Sequence, residues 1–281
     1  MDAFRHCEAL VRETDRDRFL ATLFAPAQHR DALYALDAFD IELSHVRDRV
    51  SGPLPGEIRL QWWTEVVLGA RKEEADANPV AHALQAVVAS ANLPISSLEG
   101  VIEVHRADLY DEPLETLAAL ESHVASLTAP LITAAARVLN DGNDVGIDDL
   151  AAAAGTAYGL VQWLRAVPHR AHSGYVHLPS DLAARHRLPT TAIVPGVDLE
   201  LLGPALADIR VRARQHLMIA RPLLSAAPDP ALPALLPASL SRLWLDRMDA
   251  ASDPLMPVEV PQWRRQWTLW RAARRPRQMF G

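Results

Sequence analysis

Apolar residues recur at three- and four-residue spacing along nearly the whole 281-residue chain, while runs of Val, Ile or Thr alternating with polar residues are almost absent. That periodicity calls for an all-α fold in which each helix buries one stripe. Breakers divide the pattern at Pro26, 51–55, Asn78-Pro79, Asn92-Leu93-Pro94, 140–143, 189–196, 228–237 and 253–261. Between them the spacing predicts helices over 28–50, from 56 onward, and over 113–139, 148–167, 199–226, 232–250 and 261–275. Leu33, Leu36, Phe39, Leu43, Val46 and Val50 form the stripe of the first, and the adjacent Trp62 and Trp63 read as core packing. The helix from 148 is rich in Ala and Gly, including Gly155 and Gly159, so a neighbour or a ligand can approach its backbone closely. No repeat or composition break appears, and residues 1–281 read as one domain.

A formal net charge of −7 disfavours a general nucleic-acid partner, because neutralising a phosphate backbone needs a basic face. The single cysteine, Cys7, excludes an internal disulfide, and no Cys/His spacing resembles a zinc site. No signal peptide is expected at the N-terminus and no run of about 18 uncharged apolar residues appears, so a cytoplasmic protein is expected. Phosphate-binding glycine loops, nucleophile elbows and zincin motifs are also missing.

Two segments carry the candidate chemistry. Ala32 to Asp48 presents Asp37, Asp40, Glu42, Ser44, Arg47 and Asp48 on neighbouring faces of one helix. Gly155 to Arg170 carries Gln162, Arg165, His169 and Arg170, and is followed by Val176-His177-Leu178-Pro179 and Asp181. Together with Arg30, these segments resemble the two signature helices of the squalene/phytoene synthase family. Leu60 to Trp63, Ile102 to Leu109 and Leu243 to Trp270 extend the likeness over most of the chain. The resemblance implies an isoprenoid-synthase helical bundle with a central cavity. Members of the family condense two prenyl diphosphates head to head, and each signature helix offers two aspartates four residues apart that hold Mg2+ against the diphosphates.

This chain departs from that pattern at three of the four positions. The first pair falls on Ser44 and Asp48, the second on Ala166 and Arg170. A guanidinium in place of a carboxylate reverses a contact worth on the order of 4 kcal/mol at an effective dielectric near 20. The altered motifs, including Leu164-Arg165-Ala166-Val167-Pro168, are similar to a non-catalytic branch of the family that serves respiratory complex I assembly. That likeness implies a binding or assembly factor, with a complex I subunit or assembly intermediate as partner and no cofactor. Two other readings stay open. An active prenyl diphosphate transferase would use Asp37, Asp40, Asp48 and Asp108 to hold Mg2+. An isoprenoid- or lipid-binding module would anchor a head group on Arg165 or Arg170, since guanidinium donors match phosphate and carboxylate oxygens without a metal.

The candidate ligand-binding set is therefore Arg30, Ser44, Arg47, Asp48, Gln162, Arg165, His169 and Arg170. Internal salt bridges with Asp48 or Asp108 are the competing use for these arginines. His169, His172 and His177 lack a carboxylate at ligand spacing, and no metal site is expected there. At the C-terminus, Trp263, Trp267 and Trp270 share a helix face flanked by Arg264, Arg265, Arg271, Arg274, Arg275 and Arg277. Such a helix can lie on an anionic membrane, which would make the protein peripheral to the inner membrane. The rival reading is a core stripe with a solvated rim, which the family resemblance favours.

Overall fold

The computed structural model describes every residue except Met1, Tyr175, Thr190, Thr191, Ala192, Val194, Pro195 and Val197. The N-terminal part forms α1 (Ala3–Thr14), α2 (Arg16–Thr22), α3 (Arg30–Ser44), α4 (Val46–Arg49) and α5 (Pro53–Val67). Next come α6 (Lys72–Ala77), α7 (Pro79–Ser90), α8 (Ile95–Ala107), α9 (Leu117–Leu139) and α10 (Asp148–Ser173). The remainder gives α11 (Ser180–Arg185), α12 (Leu199–Leu223), α13 (Leu236–Ser239), α14 (Ser241–Asp249) and α15 (Gln262–Arg274). Among the described residues there is no β-strand, and one isolated antiparallel bridge joins Val176 to Ile193.

These helices divide between two compact units. One comprises Met1–Tyr110, Pro130–Asp148 and Ala227–Pro237; the other comprises Asp111–Ala129, Asp149–Ala226 and Ala238–Gly281. Neither is a contiguous segment, which is why the composition along the chain shows no boundary.

In the first unit α1, α3 and α7 pack on one another and α5 packs on α8. Of the expected stripe, Leu33, Leu36, Phe39, Leu43 and Val46 are buried, while Val50, just past the end of α4, is only half-buried. Phe39 meets the buried Trp63 edge-on with ring centroids 5.4 Å apart. Trp62 is only half-buried and donates from Nε1 to Glu74 Oε2 at 2.8 Å, so the Trp pair splits between core and surface. Helix starts follow side-chain chemistry. Asp15 accepts from the Asp17 and Arg18 amides to cap α2, and Asn78 accepts from Val80 and Ala81 to cap α7, where Pro79 suits the first helical position.

In the second unit α10 lies directly against the first turns of α9. A Cβ added at Gly159 would stand 2.7 Å from Val124 Cβ, and one at Gly155 would stand 2.9 Å from Thr128 Oγ1 and 3.0 Å from the Ala129 amide. The small residues of α10 thus admit a neighbouring helix at these two positions. Gly159→Ala is therefore expected to destabilise the protein by about 1–3 kcal/mol through overpacking, although alanine is favoured in a helix by roughly 1 kcal/mol. A lower urea midpoint at unchanged slope would show it; a higher midpoint would mean that α9 gives way freely.

Asp181 Oδ1 accepts from the Leu117 amide at 2.9 Å, and the Ser180 and Asp181 amides donate to Leu114 and Glu115 carbonyls. The acid noted after the second motif is thus the latch that fixes the start of α9. Arg212 grips Glu121 of α9 through Nε and, at 2.9 Å, through Nη2. By length and composition α9 is apolar enough to cross a membrane. Its Glu121 is paired with Arg212, its first half lies against α10, and a third of its apolar window is buried.

Several expected boundaries move. The chain before residue 28, for which the spacing gives no helix bounds, forms α1 and α2. The helix expected over 28–50 breaks at His45 into α3 and α4. The helix expected to stop at 167 continues through Pro168 to Ser173, and His172 Nδ1 donates to the Pro168 carbonyl at 2.7 Å in that last turn. Tyr175 and most of the 189–196 breaker lie outside the described residues. The core reading of the C-terminal tryptophans is overturned: Trp263, Trp267 and Trp270 are 63%, 57% and 41% exposed. The smaller Leu269 and Ala272 are the residues of α15 that are buried.

Candidate functional site

In the first unit the signature helix α3 carries its acids into a cluster built around one guanidinium. Arg18 of α2 donates from Nε to Asp15 Oδ2 at 2.8 Å and from Nη1 to Asp40 Oδ2 at 2.6 Å, and Nη1 lies 3.5 Å from Asp37 Oδ1. The side chains of Arg18, Asp37 and Asp40 are 14%, 21% and 20% exposed, so these charges act on one another with limited screening. His105 of α8 stands 4.0 Å from Asp40 and 3.9 Å from Asp108. Burial is the main cause that pushes Asp37 up to about 7, with Asp15 and Asp40 adding to it against the pull of Arg18. Burial acts the same way on Asp40, but Arg18 and His105 outweigh it and hold that carboxyl down to about 2.

The remaining residues of this motif lie apart from the cluster. Ser44 Oγ donates to the Ile41 carbonyl of its own helix at 3.0 Å. Asp48 is exposed on α4, beyond the break at His45, and Arg47 is half-buried. Arg30 Nε donates to the Ala25 carbonyl at 2.9 Å, tying α3 to the turn before it. Glu42 is engaged by Arg49 at 3.2 Å and Arg59 at 3.7 Å.

In the second unit the signature helix α10 presents a different surface. Arg165 lies over the Trp244 ring of α14, Cζ 3.8 Å from the centroid, and donates from Nη1 to Gln162 Oε1 at 3.0 Å. A guanidinium at that distance over an indole is held by cation–π attraction as well as stacking. Ala166 is half-buried, one turn before the exposed Arg170 and next to the exposed His169 in that turn. Arg170 has no acidic partner among the described residues. His172 belongs to the helix and His177 to the segment after it, so the three histidines of this region do not share one helix face. Among the described residues no group of three or more His, Cys, Asp or Glu side chains is arranged to hold a metal ion.

Sequence reading thus found Asp37, Asp40 and Arg165 but missed what they bind. Arg18 lies in α2 and Asp15 caps it, both ahead of the first helix whose bounds the spacing gives, and Trp244 is far from Arg165 in sequence. The Asp15 and Arg18 spacing of three residues, capped and paired at a helix start, was the one local signal available.

The family model for squalene/phytoene synthase matches residues 11–271. A dehydrosqualene synthase crystal structure superposes with a TM-score of 0.82 at 17% identity, covering 98% of this chain and 96% of that one. At that identity the likeness speaks for the fold. In sequence the chain is 30% identical to the Rattus norvegicus NADH dehydrogenase (ubiquinone) complex I, assembly factor 6, over 84% of this chain and 70% of that protein. The Homo sapiens protein of the same name is 29% identical over 82% of this chain and 69% of its own length. Over an all-helical scaffold matched almost end to end, the chain belongs to the squalene/phytoene synthase family.

Proposed function

We propose that this protein is a non-catalytic member of the family that assists assembly of a respiratory NADH dehydrogenase, using the synthase scaffold to bind a partner. The observation that carries this reading is the likeness to complex I assembly factor 6 proteins along more than four-fifths of the chain. The donor set supports it. Family chemistry depends on Mg2+, which needs several oxygens close around it at about 2 Å. Ser44 turns its hydroxyl back onto its own helix, and Ala166 and Arg170 supply no carboxylate. Asp37 and Asp40, the acids of the alternative metal site, already face the Arg18 guanidinium. The side chains at these positions do not fit the ion.

Loss of the gene is expected to remove assembled NADH dehydrogenase from the membranes of the organism that makes this chain. Both the parent chain and Asp48→Ala should restore it. Magnesium-dependent release of pyrophosphate from farnesyl or geranylgeranyl diphosphate, abolished by Asp48→Ala, would overturn the proposal.

A further inference from the structure

We propose that the outer face of α15 is a docking surface for an anionic lipid bilayer. The helix sits in its unit by a narrow side: Leu269 and Ala272 are buried, and Arg265 faces the Trp244 ring at 6.0 Å. The opposite side presents Trp263, Trp267 and Trp270 to solvent. Trp267 and Trp270 stack with centroids 4.9 Å apart, Arg264 lies 5.4 Å from the Trp263 ring, and Arg274 lies 5.4 Å from the Trp270 ring. The result is one continuous aromatic and cationic face, with large apolar rings left in water.

Charge points to the occupant. All 35 acidic residues precede position 260, and six arginines follow it, in a chain of net charge −7. Arg264, Arg271, Arg274 and Arg275 are exposed and have no acidic partner among the described residues. A partner for this face must therefore be negative and must accept indoles at its boundary. A bilayer with anionic head groups meets both demands, because indole rings settle at head-group depth and each nearby Arg adds electrostatic attraction. The acids elsewhere in the chain are repelled by the same surface, so attraction through α15 also sets the orientation of approach. The inference goes beyond the assembly role and does not rest on it.

The test uses the full chain with vesicles of phosphatidylcholine alone or mixed with phosphatidylglycerol. Sedimentation with the mixed vesicles is expected, weakening as salt rises. Trp fluorescence should be quenched by brominated acyl chains. The combined Arg264→Gln, Arg271→Gln, Arg274→Gln and Arg275→Gln variant is expected to lose up to roughly a thousandfold in partitioning. The combined Trp263→Ala, Trp267→Ala and Trp270→Ala variant should lose the quenching while keeping the parent circular dichroism and melting temperature, since the rings are exposed. Equal binding to both vesicle types, or binding that survives the four glutamines, would overturn the proposal. So would self-association through the tryptophans, or capture of an acidic protein by α15, in a chain that ignores vesicles.

Discussion

Replacing Arg18 with Met is expected to destabilise the protein by about 3–5 kcal/mol at neutral pH, the usual cost of removing one partner from a buried charge pair. The Met side chain fills similar volume, so the loss is electrostatic in origin. Asp15, Asp37 and Asp40 would keep their positions around a site that no longer holds the guanidinium they share. The remaining escape for Asp37 and Asp40 is to bind protons, which moves both carboxyls upward. The deficit should therefore shrink as pH falls toward 5 and the acids neutralise. Urea midpoints of the parent and Arg18→Met at pH 5 and pH 8 give the result directly. A deficit that is the same at both values would mean that Arg18 acts by packing alone.

Asp37→Asn is expected to act in the opposite direction. The Asp37 carboxyl is raised to about 7 in the folded protein from an ordinary value of 3.8. Between those values the folded state keeps a proton that the unfolded chain releases, so this group makes stability fall as pH rises from near 4 to near 7. Asp40 has the reverse sign: its lowered value contributes stability that is full above about 4 and is lost as pH falls toward 2. In the window from 5 to 8 the Asp37 effect is the one that varies. An asparagine carries no proton to release, and at pH 8 the variant should exceed the parent by on the order of 2 kcal/mol, with the difference closing toward pH 5. A variant that is less stable than the parent at pH 8 would show that the Asp37 charge contributes net attraction to Arg18.

The helical class and the family likeness were legible because both depend on local pattern. Apolar spacing of three and four residues is read within a few turns of chain, and the stripe from Leu33 to Val46, across α3 and the start of α4, packs as that spacing requires. The pattern could not say which face of α15 is buried. Three tryptophans at helical spacing look like a core stripe, yet the unit seats the helix on Leu269 and Ala272 and leaves the larger rings outside. Nor could it find the centre of the polar cluster. Arg18 reaches acids 19 and 22 residues away, a pairing that follows from how α2 folds back beside α3. Pro168 misled for a different reason: a proline lacks a donor and usually ends a helix, whereas here the helix absorbs it and runs on for another turn.

The interleaving of the two units has a consequence for how the protein is made. Ala227–Pro237 is the last piece of the first unit, so a nascent chain must hold that body unfinished until those residues leave the ribosome. Synthesis of the stretch from 111 to 226 takes on the order of ten seconds at ordinary translation rates, during which apolar helix faces await their final neighbours. A cut inside 111–237 leaves each body short of part of a segment, so a deletion fragment that keeps one body whole must also carry the pieces of the other threaded through it, as 1–237 and 111–281 do.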